Sequence, residues 1–159
     1  MPITMNDLTI SPKGVDMETL LSEWEWAMPE PLRPVLLTAM GDVFAQGESG
    51  EVYFLDMIDG AIRSVAVDGE SFQSLLRDKQ FVTDHFFPSR IVQFRNEGMT
   101  LEPGQVYSHK QLLVLGGADD IDNVETTDAA VHISIHGQVH RQVKDLPDGA
   151  PISDIKIDF

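Results

Sequence analysis

The apolar positions that follow an irregular lead-in over residues 1–15 recur at helical spacing. They lie three or four positions apart and would form one stripe: Met17, Leu20, Leu21, Trp24 and Met28. Asp16 directly precedes them and is a favourable N-cap. The pattern predicts a helix over about 17–28, because the prolines at 29, 31 and 34 prevent it from continuing.

Three β-rich runs follow this helix. They are PVLLTAMGDVFAQ at 34–46, EVYFLD at 51–56 and AIRSVAV at 61–67. The turn-like segments GESG at 47–50 and MIDG at 57–60 separate them. Short strands joined by tight turns are typical of an antiparallel meander.

Helical spacing returns at 69–79 and again at 80–97, where Pro88 is expected to interrupt the helix. The apolar residues of these two segments are expected to face the core. They are Phe72, Leu75, Leu76, Phe81, Phe86, Ile91, Val92 and Phe94.

Glycines divide the remainder of the chain. Pro103-Gly104 predicts a turn, because Pro fixes φ and Gly accepts a positive φ. LLVLGG at 112–117 reads as a short buried strand, and residues 118–128 read as an acidic loop. AVHISIH at 130–136 alternates like a strand. Gly137 would then turn the chain into a helix over 138–146, ended by Pro147 and Gly149.

These elements predict an α+β protein with a mostly antiparallel, curved sheet and helices packed against it. At 159 residues, with no internal repeat and no linker, we expect one domain over 1–159. The chain has no cysteine, no apolar run long enough to span a bilayer and no secretion signal at its start. A cytoplasmic location fits these features.

The formal net charge of −15 narrows the range of partners. Such a chain is repelled by nucleic acid phosphates and by anionic membranes, and it is attracted to basic proteins. Simple solubility explains the charge about equally well.

No catalytic residue, cofactor site or metal site is predicted. His132, His136 and His140 have the spacing of ligands on one helix, but Gly137 and the strand-like run before it argue against that helix. Ser108 and His109 are neighbours on a strand, so their side chains point in opposite directions. The glycines of LGG at 115–117 lack the Lys and Ser/Thr of a phosphate-binding loop.

Two features are candidates for binding a partner. Five carboxylates fall within ten residues and would form an acidic patch: Asp119, Asp120, Asp122, Glu125 and Asp128. Trp26 should lie on the side of its helix away from Trp24, and an exposed Trp is a typical interface anchor. A solvated loop and a buried indole are the alternatives to these two interpretations.

The order of several short motifs resembles a known family. They are WEW at 24–26, LLTAMGDVF at 36–44, GEVYFLD at 50–56, PGQVY at 103–107, LGG at 115–117, Asn123, Glu125 and the run VHISIHGQVHRQVKDLP from 131. Over about 21–149 the chain resembles the immunity proteins of type VI secretion systems whose partners are DNase effectors, a family whose C-terminal domain was long of unknown function. The resemblance implies a cytoplasmic protein that binds a cognate toxin.

The sequence therefore favours a non-enzymatic inhibitor that binds a toxin with a basic surface and needs no cofactor. The alternative is a regulatory module that binds a small ligand or a housekeeping protein in a pocket lined by Phe54, Tyr107 or Ile135. An enzyme would need a convergent polar cluster in a cleft.

Overall fold

A five-stranded antiparallel meander forms the centre of the protein. The structure is a computed structural model that describes residues 3–146 and 155–158. The strands adjoin in chain order: β1 (Thr9–Ile10), β2 (Leu32–Thr38), β3 (Val43–Gly47), β4 (Val52–Asp56) and β5 (Ala61–Ala66). Helices cover this sheet, so the predicted α+β fold is confirmed.

The first of the three predicted β-runs is in fact two strands. Backbone hydrogen bonds close a turn between β2 and β3, where Thr38 N–H donates to the Asp42 carbonyl at 2.9 Å. Gly41 supports this turn with a φ of +87°, a conformation that costs glycine little. The sequence prediction missed this hairpin because GD within an apolar run is a weaker signal than GESG or MIDG.

The N-terminal segments also differ from expectation. The lead-in contains a short helix, α1 (Met5–Leu8), and β1, which pairs with β2. The predicted helix at 17–28 is a six-residue 3₁₀ helix, Ser22–Ala27, preceded by turns. Its apolar stripe is nevertheless buried at Leu20, Leu21 and Trp24.

Alternate residues of the central strands face two separate cores. Phe44 and Phe54 pack on one side against α2 (Gly69–Leu75), α3 (Lys79–Phe86) and α4 (Pro88–Asn96). Val43, Ala45 and Leu55 pack on the other side with Trp24 and Ile133. The break predicted near Pro88 occurs at Phe87, whose φ is +52°. Val92, expected in the core, is 39% exposed.

A two-stranded antiparallel sheet, β6 (Gln105–His109) and β7 (Val124–Asp128), follows the predicted turn at Pro103-Gly104. The prediction of a strand at 112–117 is wrong, because Leu113–Leu115 form a 3₁₀ helix. Half of the predicted acidic loop is β7, and Ile121–Asn123 form another 3₁₀ helix. Pairing with β6 satisfies the backbone of these polar residues, which their local sequence does not reveal.

One helix, α5 (Ala129–Val143), replaces the predicted strand at 130–136 and continues through Gly137. Asp128 caps it by accepting a 3.1 Å hydrogen bond from Val131 N–H. A Cβ on Gly137 would lie 2.6 Å from the Glu23 carbonyl oxygen, so glycine allows the 3₁₀ helix to approach α5 closely. Pro147 and Gly149, expected to end this helix, lie outside the described residues. Within those residues, no helix has the length and apolarity to cross a membrane.

Candidate functional site

Three buried histidines line one face of α5. His132, His136 and His140 lie one turn apart, with ring centroids 4.3 Å and 6.3 Å apart along the row. The sequence interpretation that Gly137 breaks this helix is wrong. The spacing of four residues indicated that the three histidines share one face of a helix. The β-branched residues between them favoured a strand instead, so the helix was not predicted.

Each ring of the row has a hydrogen-bond partner. His132 Nδ1 lies 2.7 Å from Ser108 Oγ, and His136 Nδ1–H donates to the His132 carbonyl at 2.8 Å. His140 Nε2–H donates to the Met57 carbonyl at 2.6 Å. Burial lowers the pKa of all three imidazoles, that of His136 to about 4. The row is therefore neutral at pH 7 and joins α5 to β6 and to the turn after β4.

These histidines do not form a recognisable metal or catalytic site. The described residues contain no group of three His, Cys, Asp or Glu side chains placed to hold a metal ion. Ser108 pairs with His132 rather than with its neighbour His109, but no carboxylate in the described chain hydrogen-bonds to His132. The pair thus lacks the third group that orients the base in a catalytic triad.

A cavity of about 70 Å³ lies beside the row. Asp42, Met57, Tyr107, His132 and His136 contribute to its wall. Of the pocket residues expected from the sequence, Tyr107 lines this cavity, whereas Phe54 packs in the core. Burial raises the pKa of Asp42 to about 8. No local pattern in the sequence marks Asp42, because only the fold places it inside the protein.

Arg90 and Asp119 form an ion pair at the edge of this cavity. The Arg90 guanidinium donates two hydrogen bonds to the Asp119 carboxylate, one of them 2.7 Å long. Arg90 lowers the pKa of Asp119 through these bonds. His109 Nε2 lies 3.6 Å from the same carboxylate, too far for a hydrogen bond. Asp119, predicted to meet a partner, is thus paired within the chain.

The other acidic candidates divide into capping and free carboxylates. Asp120 Oδ1 accepts a 3.0 Å hydrogen bond from Asp122 N–H, and Asp128 caps α5. Asp122 and Glu125 are exposed, and their carboxylates make no hydrogen bond within the described residues. The fold therefore leaves two of the five carboxylates unengaged.

Trp26 is half-buried, in contrast to its expected exposure. Its ring stacks on Trp24 with centroids 5.8 Å apart, and its Nε1–H donates to the Glu23 carbonyl at 2.8 Å. A 3₁₀ helix turns about 120° per residue, so residues two apart diverge less than on an α-helix. Binding of a partner by Trp26 and the five carboxylates stays a prediction.

We expect Asp128→Ala to lower the free energy of unfolding by about 1 kcal/mol, because it removes the cap of α5. Urea denaturation followed by circular dichroism measures this change. Asp122→Ala is the control, since that carboxylate is exposed and makes no such bond. Equal losses in the two variants would contradict the capping role.

A comparison with models of known protein families finds a match. Residues 67–140, a little under half of the chain, match the family described as T6SS immunity protein Tdi1, C-terminal. The motifs noted at 24–56 lie outside this match. A comparison with curated protein sequences finds no match.

Among solved structures, the crystal structure of Atu4351 from Agrobacterium tumefaciens is similar, with a TM-score of 0.57 and 18% sequence identity. The similarity covers 77% of this chain and 64% of Atu4351, so it supports the fold alone. The resemblance seen in the sequence is thus confirmed over residues 67–140, which match the C-terminal family of the type VI secretion immunity protein Tdi1.

Proposed function

We propose that this protein is a cytoplasmic immunity protein that neutralises a cognate toxin, a type VI secreted DNase, by forming a stoichiometric complex with it. The match of residues 67–140 to a T6SS immunity family carries this proposal. Inhibition by a tight complex requires about 1,200–2,000 Å² of complementary interface and no chemistry from the inhibitor.

The charge of the chain supports a basic target. A DNase binds phosphates with a basic groove, and a partner with a formal charge of −15 is attracted to such a surface. Asp122 and Glu125 are exposed and unengaged, so they contribute to this attraction without breaking contacts within the chain. Asp119 and Trp26 would have to exchange internal contacts for contacts with the toxin.

We expect the protein to co-purify with the product of the adjacent gene in a 1:1 complex. Co-expression should also restore growth to cells that produce that toxin. Size-exclusion chromatography with light scattering measures the stoichiometry, and a catalytically inactive toxin variant allows the complex to be produced. If no complex forms and the cells are not rescued, the proposal is wrong.

The cavity beside α5 favours a second candidate, a regulatory module that binds a small ligand. Thermal-shift screening with metabolites separates the two functions. A large shift with a metabolite, and none with the toxin, would favour the regulatory module.

A further inference from the structure

The cavity beside α5 contains a carboxyl group that has no cation. Asp42 is 5% exposed, and its Oδ1 accepts a 2.9 Å hydrogen bond from Met57 N–H. No hydrogen bond or ion pair in the described part of the chain reaches its Oδ2. Arg90 is the cationic side chain on the cavity wall, and Asp119 already engages its guanidinium. A buried carboxyl without a counterion is costly to ionise.

Three histidines also line this cavity: His109, His132 and His136. His136 donates through Nδ1, so its neutral ring leaves Nε2 as a hydrogen-bond acceptor. The Nε2 atoms of His109 and His132 are buried without a hydrogen-bond partner in the described structure, but they lie beside other groups: His109 Nε2 is 3.6 Å from Asp119, and His132 Nε2 packs against Gly41. Asp42 Oδ2 and His136 Nε2 have no hydrogen-bond partner in the described structure, and both residues line the cavity, which indicates a polar guest.

The rest of the wall suits a cation rather than an anion or a metal ion. Tyr107 and Phe87 contribute aromatic rings, which attract ammonium groups. Asp56 and Asp59 add negative charge near Asp42, and the Arg63 guanidinium, which pairs with both at 3.0 Å, offsets part of it. A bound anion would be repelled by these carboxylates, and no three metal-ligating side chains converge among the described residues.

We propose that this cavity binds a primary ammonium group, the head of a lysine side chain. Its volume of about 70 Å³ suits a narrow alkylammonium chain. The ammonium N–H groups donate to the Asp42 carboxylate and to His136 Nε2. As the cation enters, the Asp42 carboxyl gives up its proton to solvent, so one positive charge replaces another. The expected source of the ammonium group is a lysine of the bound toxin. Only this assignment of the source rests on the proposed function.

The first test uses n-butylammonium chloride and the free protein. We expect saturable shifts of the His132 and His136 imidazole protons in NMR spectra, and none with n-butanol or with sodium chloride at equal ionic strength. Asp42→Asn should weaken binding at least tenfold, whereas Glu102→Gln, which changes an exposed carboxylate, should not. Equal titration of wild type and Asp42→Asn, or an equal response to n-butanol, overturns the proposal.

The second test measures whether Asp42 releases its proton when the cation binds. The affinity for n-butylammonium should rise about tenfold per pH unit between about pH 6.5 and 8, and Asp42→Asn should abolish this dependence. The other groups that face Asp42 or share the cavity wall are Asp56 and Asp59, both paired with Arg63, and Arg90, Tyr107, His109, His132 and His136. The buried histidines stay neutral across this range, because burial lowers their pKa values. An affinity independent of pH in the wild type contradicts the proposal.

A third measurement identifies the source of the ammonium group. If a toxin lysine enters the cavity, Asp42→Asn should weaken the toxin complex at least tenfold and remove its pH dependence. A complex that is equally tight in the variant means that the cavity takes a free amine instead. A wild-type protein that binds n-butylammonium but no toxin would refute the proposed function and leave the cation site standing.

Discussion

Replacement of Trp24 by alanine is expected to lower the free energy of unfolding by about 3–5 kcal/mol, the largest effect of any variant considered. Its indole is fully buried, and its Nε1–H donates to the Ile133 carbonyl at 2.9 Å. The ring also packs against Gly137, where α5 and the 3₁₀ helix meet most closely. Alanine would leave a large cavity at this contact and remove the hydrogen bond.

Urea denaturation followed by circular dichroism measures the loss without relying on tryptophan fluorescence. Trp26→Ala is the matched control, because its ring is only half-buried and its hydrogen bond is local. We expect this control to lose about 1–2 kcal/mol, since less apolar area is removed from the interior. Similar losses in the two variants would show that the Trp24 contact does not anchor α5.

Acidification from about pH 6.5 to 4 is expected to remove at least about 3 kcal/mol of the stability that the buried histidines contribute. Burial lowers the pKa of His109, His132, His136 and His140, that of His136 to about 4. The unfolded chain therefore binds protons first as the pH falls. The histidine contribution is fully present above about pH 6.5 and is lost as the pH falls through the folded-state values.

Asp42 has the opposite dependence. Burial raises its pKa from 3.8 to about 8, so the folded state keeps a proton that the unfolded chain releases. Its contribution is present at low pH and is lost as the pH rises from about 4 to about 8. The histidines make the free energy of unfolding rise with pH, and Asp42 makes it fall. The protein should therefore be most stable near the pH at which these two changes balance.

Two variants separate these contributions. His136→Asn keeps a side-chain N–H for the His132 carbonyl but does not titrate. Between about pH 6.5 and 4, the number of protons that this variant takes up on unfolding should therefore be lower by up to one, and its unfolding free energy should depend less steeply on pH. Asp42→Asn keeps an oxygen for Met57 N–H and should remove the loss of stability at rising pH. Urea midpoints across this pH range measure both slopes. An acid slope unchanged by His136→Asn would contradict its burial as a neutral ring.

Local sequence predicted the elements whose signals are confined to a few residues. The turns at 47–50, 57–60 and 103–104 contain glycine where the chain reverses, and they occur as expected. Helices α2 to α4 follow from apolar spacing and from Pro88, whereas the caps Asp68 and Asp78 and the end of α2 at Leu75 were not predicted. Nearest neighbours decide these features, so they can be read without knowing the fold.

The acidic charge and the resemblance to an immunity family were also evident in the sequence, and residues 67–140 match that family. The acidic residues themselves were harder to interpret. Asp119 pairs with Arg90, 29 positions away, and Asp128 became a helix cap because α5 starts there. Composition gives the total charge, but the fold decides which carboxylates stay free.

The sequence by itself determined the α+β class, the meander and the net charge of −15. Only the tertiary structure decided that residues 129–143 are one helix and that Asp42 lies in a cavity beside His132 and His136. The contact between Trp24 and Ile133 joins residues 109 positions apart. The free energy gained by such packing outweighs the weak strand preference of VHISI. Local sequence patterns cannot predict this packing, because the residues that make it are far apart in the chain.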